Sequence, residues 1–257
     1  MVNLDRKWIR FLKEANIFDT DPLNLPFFEV HDELNPLLWS EDEQINPEIA
    51  DVLKTIAEDF VENAEIGAPI LDITITGSMA NYNWTKYSDI DLHILINLRD
   101  IDSNIELVKK LVDNQRINWN LTHDIMVNDH EVEIYVQDMN EKHVSSGVYS
   151  LLRDKWIVKP TIDRPIVEFE PVRNKTDALI GKIDQIERLF HEERHYEAYD
   201  YAKRVKKKIK RMRQAGLQNG GIYSIENLAF KYLRNTNYLE KLSDLYNMSY
   251  DRMLSVE

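Results

Sequence analysis

The chain has 257 residues, of which 43% are hydrophobic and 10% aromatic, enough for one large or two small domains with an apolar core. It contains no cysteine, which excludes a disulfide framework and a cysteine-based zinc site. The formal net charge of −13 argues against a protein that binds long nucleic acid over its whole surface. No run approaches the roughly 18 apolar residues of a membrane span, and the first residues lack a signal-peptide pattern, so we expect a cytoplasmic protein with no membrane partner.

The N-terminal part of the chain is predicted to contain two helices separated by an irregular segment. A short amphipathic helix is expected over 4–15, followed by an acidic, proline-containing segment over 19–45. Asn46 and Pro47 are residue types that favour the N-cap and the first position of a helix, and they predict a second helix that ends near Asn63. Its apolar residues recur at helical spacing, so one face is expected to pack on a core.

Two strands joined by a polar loop are predicted over 70–76 and 89–96. Apolar residues alternate up to Gly77-Ser78, and ten residues later Asp89-Ile90-Asp91 opens a second apolar run. Side chains alternate between the two faces of a strand, so Asp89 and Asp91 point the same way. Neighbouring carboxylates repel each other unless a cation lies between them, and Mg²⁺ binds carboxylate and phosphate oxygens together. A solvated strand edge or a turn is the alternative for an isolated Asp-x-Asp.

A helix and a β-hairpin are predicted next. The helix is expected from Asp102 or Ser103 to about Trp119, and the hairpin over 124–137. In the second strand of the hairpin, Glu131 and Glu133 share one face while the apolar residues occupy the other. Both glutamates are therefore candidates for a third carboxylate.

The segment over 138–173 is expected to link the hairpin to a C-terminal part made of helices. A second short hairpin or a helix–strand pair ending at Pro160 is predicted within it. Glycines break the helical pattern that follows. The predicted helices cover 175–191, 195–214, 223–234 and 236–248.

Residues 201–213 contain eight basic residues and no acidic one, and apolar residues recur among them at helical spacing. This pattern predicts an amphipathic helix with a cationic face. One interpretation is a solvated helix that balances an acidic chain. The other is a wall of a nucleotide site, for which the candidates are Lys203, Lys206, Lys207 and Lys210.

The run from Gly77-Ser78 to Ser88-Asp89-Ile90-Asp91 resembles the signature of the DNA polymerase beta-like nucleotidyltransferase superfamily. The resemblance covers about residues 68–138, and the flanks resemble those of phage-encoded nucleotidyltransferase-like proteins. It implies an α+β fold with a small mixed nucleotidyltransferase-type sheet, flanking helices and a C-terminal helical module. The domains expected are an N-terminal helix with an irregular segment (1–45), a nucleotidyltransferase core (46–173) and a helical domain (174–257).

The resemblance also implies a site and a reaction. Asp89, Asp91 and a third acid would be catalytic and would bind two Mg²⁺ ions, for which Mn²⁺ can substitute. The third acid of the superfamily lies between two hydrophobic residues, which favours Glu133 over Glu131. Gly77, Ser78 and Ser88 would contact the nucleotide. The implied reaction moves an NMP from ATP or another NTP to an undetermined hydroxyl or phosphate acceptor, a small molecule, a protein or an RNA end, and releases pyrophosphate.

Two alternatives to this reaction stay open at the level of sequence. One is a non-catalytic nucleotidyltransferase fold that serves as a binding or assembly protein. The other is pyrophosphate transfer to a nucleotide on the same fold.

Overall fold

The computed structural model describes residues 30–141 and 145–255, and these form two compact units, before and after the boundary between Arg164 and Pro165. The predicted helix over 4–15 lies outside the described residues. The domain boundaries expected after residues 45 and 173 stay predictions.

The first unit is built on a mixed six-stranded sheet with the strand order β3-β4-β2-β1-β5-β6. Of the neighbouring pairs, β2 and β4 are parallel and the others are antiparallel. This confirms the α+β fold class. The strands are β1 (Asp72–Thr76), β2 (Ile90–Ile96), β3 (Met126–Val127), β4 (His130–Asp138), β5 (Val148–Ser150) and β6 (Lys155–Val158).

Two helices of the first unit, α1 (Pro47–Asn63) and α2 (Ile105–Thr122), contribute to its core. The side chain of Asn46 accepts a hydrogen bond from the Glu48 amide at 3.0 Å, so the predicted N-cap is confirmed. Apolar residues that alternate along the strands meet the apolar stripe of α1 in this core. The largest fully buried ones include Leu53, Phe60, Ile73, Ile75, Ile90, Leu92, Ile94 and Ile134.

The segment before α1 packs into the first unit. Trp39 is 4% exposed, and its ring stacks on Trp156 and meets Tyr149 edge-on. Its indole N–H donates to the Met79 carbonyl at 2.7 Å. Tyr149 and Trp156 belong to the β5–β6 hairpin, which confirms the hairpin predicted before Pro160.

The second unit is a bundle of four described helices with its own apolar core. Three of the predicted bounds were wrong, one of them the end of the last helix, which lies at Leu254 rather than at residue 248. The first helix begins at Phe169 rather than at residue 175, because Pro171 falls in the first turn, where a missing N–H costs nothing. The second helix continues through Gly216 to Gly220. The helices are α3 (Phe169–His191), α4 (His195–Gly220), α5 (Ile225–Asn235) and α6 (Tyr238–Leu254).

Position 216, inside α4, requires a glycine because the helix passes close to the start of α5 there. A Cβ at this position would lie 2.5 Å from Cβ of Glu226 and 2.7 Å from Oγ of Ser224. The break in the helical pattern comes instead at Gly221, whose φ of +67° is in the left-handed region that favours glycine.

Candidate active site

Two of the predicted acids face each other across the only parallel strand pair of the described sheet. Asp91 on β2 is in register with Glu133 on β4, and Thr76 on β1 is in register with Asp91. Side chains of residues in register lie on the same face, and neighbouring strands are about 4.8 Å apart. Asp89 immediately precedes β2 and is two residues before Asp91. All three acids are partly exposed, so the site is open to solvent.

The register also distinguishes Glu133 from Glu131. Glu131 pairs with Met126 on β3, and its position on β4 lies beyond the start of β2. Glu133 has Val132 and Ile134 as buried neighbours and lies directly beside Asp91. The geometry therefore supports Glu133 as the third acid, although the assignment of these roles stays a prediction.

Gly77 lies against the carboxylate of Asp91. Its backbone has φ 72° and ψ −156°, a conformation essentially confined to glycine. A Cβ added to Gly77 would lie 1.7 Å from Oδ2 of Asp91, which is far closer than two atoms that are not bonded to each other can come. The missing side chain is therefore what lets the turn after β1 pass over the Asp91 carboxylate.

The loop between the two strands is closed by serine and threonine side chains. The Ser78 hydroxyl donates to Oγ of Ser88 at 2.8 Å, and the Thr85 amide donates to the same oxygen at 2.9 Å. Ser88 is 7% exposed. A contact from Ser78 to a phosphate would require its hydroxyl to rotate away from Ser88. The hydroxyl of Ser88 already accepts two hydrogen bonds that stabilise the loop. The predicted contacts of Ser78 and Ser88 with a nucleotide stay predictions.

His130 connects this loop to two other segments and was not singled out by the sequence. It is 4% exposed; its Nδ1 is 2.7 Å from the Ser88 carbonyl oxygen and its Nε2 is 3.2 Å from the amide nitrogen of Asn35. Because a carbonyl oxygen only accepts and an amide nitrogen only donates, Nδ1 carries the proton and Nε2 accepts. His130 is the first residue of β4.

Glu133 is held by a neighbour on its own strand. The Tyr135 hydroxyl donates to Oε2 of Glu133 at 2.6 Å. Burial raises the pKa of that hydroxyl above its ordinary range, and the negative charge of Glu133 raises it further, so Tyr135 stays a donor. The ring stacks on His93 with 5.0 Å between the ring centroids, and the Arg116 guanidinium lies 4.9 Å from the centroid of the Tyr135 ring. Because side chains alternate between the two faces of a strand, Tyr135 is expected on the same face of β4 as Glu133.

The predicted lysines belong to α4, in the second unit. Lys206 donates to the Ser243 hydroxyl at 3.1 Å, and its ammonium lies 4.7 Å from the centroid of the Tyr246 ring. Lys203 lies 5.7 Å from the centroid of the Tyr199 ring, and Lys207 borders a shallow hollow on another side of the helix. Their contact with a nucleotide stays a prediction.

Asp89, Asp91 and Glu133 form a carboxylate face whose oxygen atoms are the type of ligand that a hard cation prefers. Within the described parts of the chain, no group of three His, Cys, Asp or Glu side chains is arranged as a preformed metal site. Asp91 and Glu133 nevertheless face each other in register, and Oε1 of Glu133 is not used by the bond to Tyr135. Carboxylate oxygens on two adjacent strands fit Mg²⁺ in chemistry, and Asp89 is near enough in sequence to complete the set.

Comparisons with known proteins identify a family for the central part of the chain. Residues 53–144 match the family model described as a nucleotidyltransferase domain. No curated protein matches the chain. Among solved structures, the chain matches a STING-associated CdnE c-di-GMP synthase from Capnocytophaga granulosa at 11% identity, over 97% of this chain and 94% of that chain, with a TM-score of 0.22, too low to bear on the fold.

None of these matches supports a phage origin, and the cytoplasmic location stays a prediction. No helix in the described residues has the length and apolar character needed to cross a bilayer. The family match spans β1, the Gly-Ser turn, the Asp-x-Asp strand and β4. The stretch over 53–144 is therefore a nucleotidyltransferase domain of the DNA polymerase beta-like superfamily.

Proposed function

We propose that the protein is a Mg²⁺-dependent enzyme that transfers an NMP from an NTP to a hydroxyl or phosphate acceptor and releases pyrophosphate, with Asp89, Asp91 and Glu133 as its catalytic acids. The observation that carries this proposal is the register of Asp91 with Glu133, with the Gly77 backbone against Asp91. The acceptor is a small molecule, a protein or an RNA end.

Two divalent ions bound by these acids would supply activation of the acceptor hydroxyl and stabilisation of the departing pyrophosphate. The chain's own contribution is to position its acids. Gly77 fixes how closely the Gly-Ser turn approaches Asp91, and Tyr135 fixes one oxygen of Glu133. The loop held by Ser88 and the buried His130 fixes the backbone that leads into Asp89. A rigid second layer of this kind is needed because small displacements of catalytic groups cause large losses of rate.

The test is transfer of label from each of the four α-³²P NTPs, with Mg²⁺ or with EDTA, in the presence of total RNA, protein extract or no acceptor. Asp89→Asn, Asp91→Asn and Glu133→Gln remove charge with little change of shape. We expect each to reduce Mg²⁺-dependent transfer by about 100-fold or more, because each removes a ligand oxygen's charge. Glu131→Gln is the matched control on the same strand and should retain activity.

A second measurement distinguishes a variant that no longer binds metal from a variant that no longer folds. Mn²⁺ titration followed by electron paramagnetic resonance should show weaker binding in the three acid variants, while their thermal unfolding stays close to that of the wild type. If Glu131→Gln is inactive and Glu133→Gln is active, the third acid is wrongly assigned. If no NTP is consumed and no Mn²⁺ binds, the proposal is wrong.

A further inference from the structure

Arg116 is a largely buried arginine beside the carboxylate face, and the proposed function does not yet use it. It lies on α2, one helical turn before Asn120. The Asn120 side chain donates to the Ile134 carbonyl at 3.0 Å and accepts from the Ile134 amide at 3.2 Å. These two bonds hold α2 against the part of β4 that β3 does not reach, so Arg116 lies alongside the strand that carries Glu133.

The Arg116 guanidinium shares an aromatic neighbour with Glu133. It lies 4.9 Å from the centroid of the Tyr135 ring, and the hydroxyl of the same ring donates to Glu133. Burial, then the negative charges of Glu133 and Asp91, raise the pKa of Tyr135, whereas the positive charge of Arg116 lowers it. The charge of Arg116 therefore acts on the same hydroxyl as the charges of two proposed catalytic acids.

The residues that the structure describes leave the hydrogen-bond donors of Arg116 unused. Its Nε is 3.8 Å from Oδ1 of Asp113, too far for a hydrogen bond, and the Asp113 side chain is 43% exposed. An ion pair of this kind contributes little. The Arg116 side chain is only 20% exposed, yet none of its nitrogens is a buried polar atom without a partner. Its stem is packed and its N–H groups are open to solvent.

A guanidinium in this position suits a phosphate group. The contact with the Tyr135 ring restrains the Arg116 side chain before any ligand binds, which lowers the entropy cost of binding. Paired N–H groups in one plane match two oxygens of a phosphate. The proposed reaction brings a triphosphate to a face that carries three carboxylates, which repel it unless positive charge offsets them. Arg116 supplies such a charge on the Glu133 side of that face.

We propose that Arg116 contacts a phosphate group of a substrate bound at the carboxylate face. This inference rests on the proposed function, because nucleotidyl transfer is what brings phosphate to this face. The phosphate belongs either to the NTP donor or to an acceptor that itself carries a phosphate. Both sources offer the same chemistry to the guanidinium, and binding experiments distinguish them.

The test is isothermal titration calorimetry of the full chain with two probes in Mg²⁺, comparing the wild type with Arg116→Gln. The donor probe is the α,β-methylene analogue of each of the four NTPs, which cannot transfer its nucleotide. The acceptor probe is each of the four nucleoside 5′-monophosphates, added to protein saturated with the analogue. We expect Arg116→Gln to weaken binding of one probe about tenfold or more, because a charge-assisted contact is lost. The probe that weakens identifies the source of the phosphate.

Two results would overturn the proposal. One is binding of both probes by Arg116→Gln within about threefold of the wild type, or binding of neither probe by the wild type. The other is weaker Mn²⁺ binding by Arg116→Gln in electron paramagnetic resonance. Loss of a positive charge should by itself strengthen binding of a cation. Weaker Mn²⁺ binding would therefore mean that Arg116 acts by positioning Glu133 through Tyr135.

Two further variants separate the phosphate contact from folding and from net charge. Arg116→Lys keeps the charge but lacks the planar pair of donors, so its affinity should lie between those of Arg116→Gln and the wild type. It also replaces Arg116→Gln if urea unfolding shows that the latter does not fold. Lys110→Gln is the matched control, because Lys110 is an exposed cation on α2 about 120° around the helix axis from Arg116. An equal loss in Lys110→Gln would overturn the proposal.

Asp91→Asn distinguishes failure of this inference from failure of the proposed function. If Asp91→Asn transfers label as well as the wild type, the proposed function is wrong, whatever Arg116→Gln does. If Asp91→Asn is inactive while Arg116→Gln binds both probes normally, only the role of Arg116 is wrong.

Discussion

Replacement of Gly77 by alanine tests the geometry on which the active site depends. The new Cβ would lie 1.7 Å from Oδ2 of Asp91, and ordinary contact begins at 3.4 Å. The Asp91 carboxylate, the turn or both must therefore move by about 1.5 Å. Asp91 lies between Asp89 and Glu133, so the displacement falls on the proposed catalytic acids.

The expected magnitudes follow from two separate effects. An alanine held at φ 72° and ψ −156° costs about 1–3 kcal/mol of folding free energy, because that region is open only to glycine. A displacement of about 1 Å at a catalytic group costs about 100-fold in rate. We therefore expect the transfer rate of Gly77→Ala to fall at least about 100-fold, while most of the protein stays folded.

The assay compares Gly77→Ala with Gly67→Ala by label transfer and by urea unfolding. Gly67 is exposed, and a Cβ there would meet no atom within 4 Å. Gly67→Ala should therefore stay within about 0.5 kcal/mol of wild-type stability, as is usual for surface substitutions. Activity of Gly77→Ala within about threefold of the wild type would refute the reasoning, because it would show that the close approach to Asp91 does not matter.

Four further substitutions test individual contacts. Tyr135→Phe removes the bond to Glu133, worth about 0.5–1.5 kcal/mol, and should slow transfer about three- to tenfold in a steady-state rate assay. His130→Phe removes the partner of the Ser88 carbonyl oxygen and one of the two acceptors of the Asn35 amide, and should lower the free energy of unfolding by about 1–3 kcal/mol in urea. Lys231→Met removes a positive charge that destabilises the folded state, because the charge is buried and lies near Arg234 and Arg213. Because the unfolded chain keeps the Lys231 proton between pH 8 and 10.5 and the folded chain loses it, wild-type stability rises with pH in this window. Lys231→Met should therefore be more stable than the wild type at pH 7 by about 1–3 kcal/mol, a gain that shrinks by pH 10.5 in urea titrations. The pKa of Glu43 is lowered from 4.5, first by its hydrogen bond from Lys159 and then by that from Tyr82, so its contribution is present above pH 4.5 and lost as pH falls through the lowered pKa. Glu43→Gln should thus be about 1 kcal/mol less stable than the wild type at pH 7, and this difference should shrink as the pH falls below 4.5, by thermal unfolding; an unchanged difference at low pH would contradict this.

The sequence predicted the elements that carry local signals. Alternating apolar residues located β1 and β2, the Asn46-Pro47 pair located the start of α1, and the hairpin signal located β4. The Asp-x-Asp pattern indicated that Asp89 and Asp91 share a face, and the structure places Asp91 beside Glu133. These features depend on residues a few positions apart.

Long-range pairing could not be predicted in the same way. No local pattern shows that β4 pairs with β2 in parallel, or that His130 reaches Asn35 and Ser88 from distant segments. The cations of α4 also looked like a single face in the sequence. In the structure, Lys206, Lys210 and Arg213 border one hollow, while Arg204, Lys207, Lys208 and Arg211 border a second one.

The parallel pairing of β2 with β4 has a consequence for how the enzyme becomes active during synthesis. Parallel neighbours need a crossover connection, and here the chain must pass through α2 before β4 can join β2. A nascent chain that ends before β4 already contains Asp89 and Asp91 but lacks Glu133. Such non-local pairing is slow compared with helix formation. The three proposed acids can therefore come together only after β4 has been synthesised and has paired with β2.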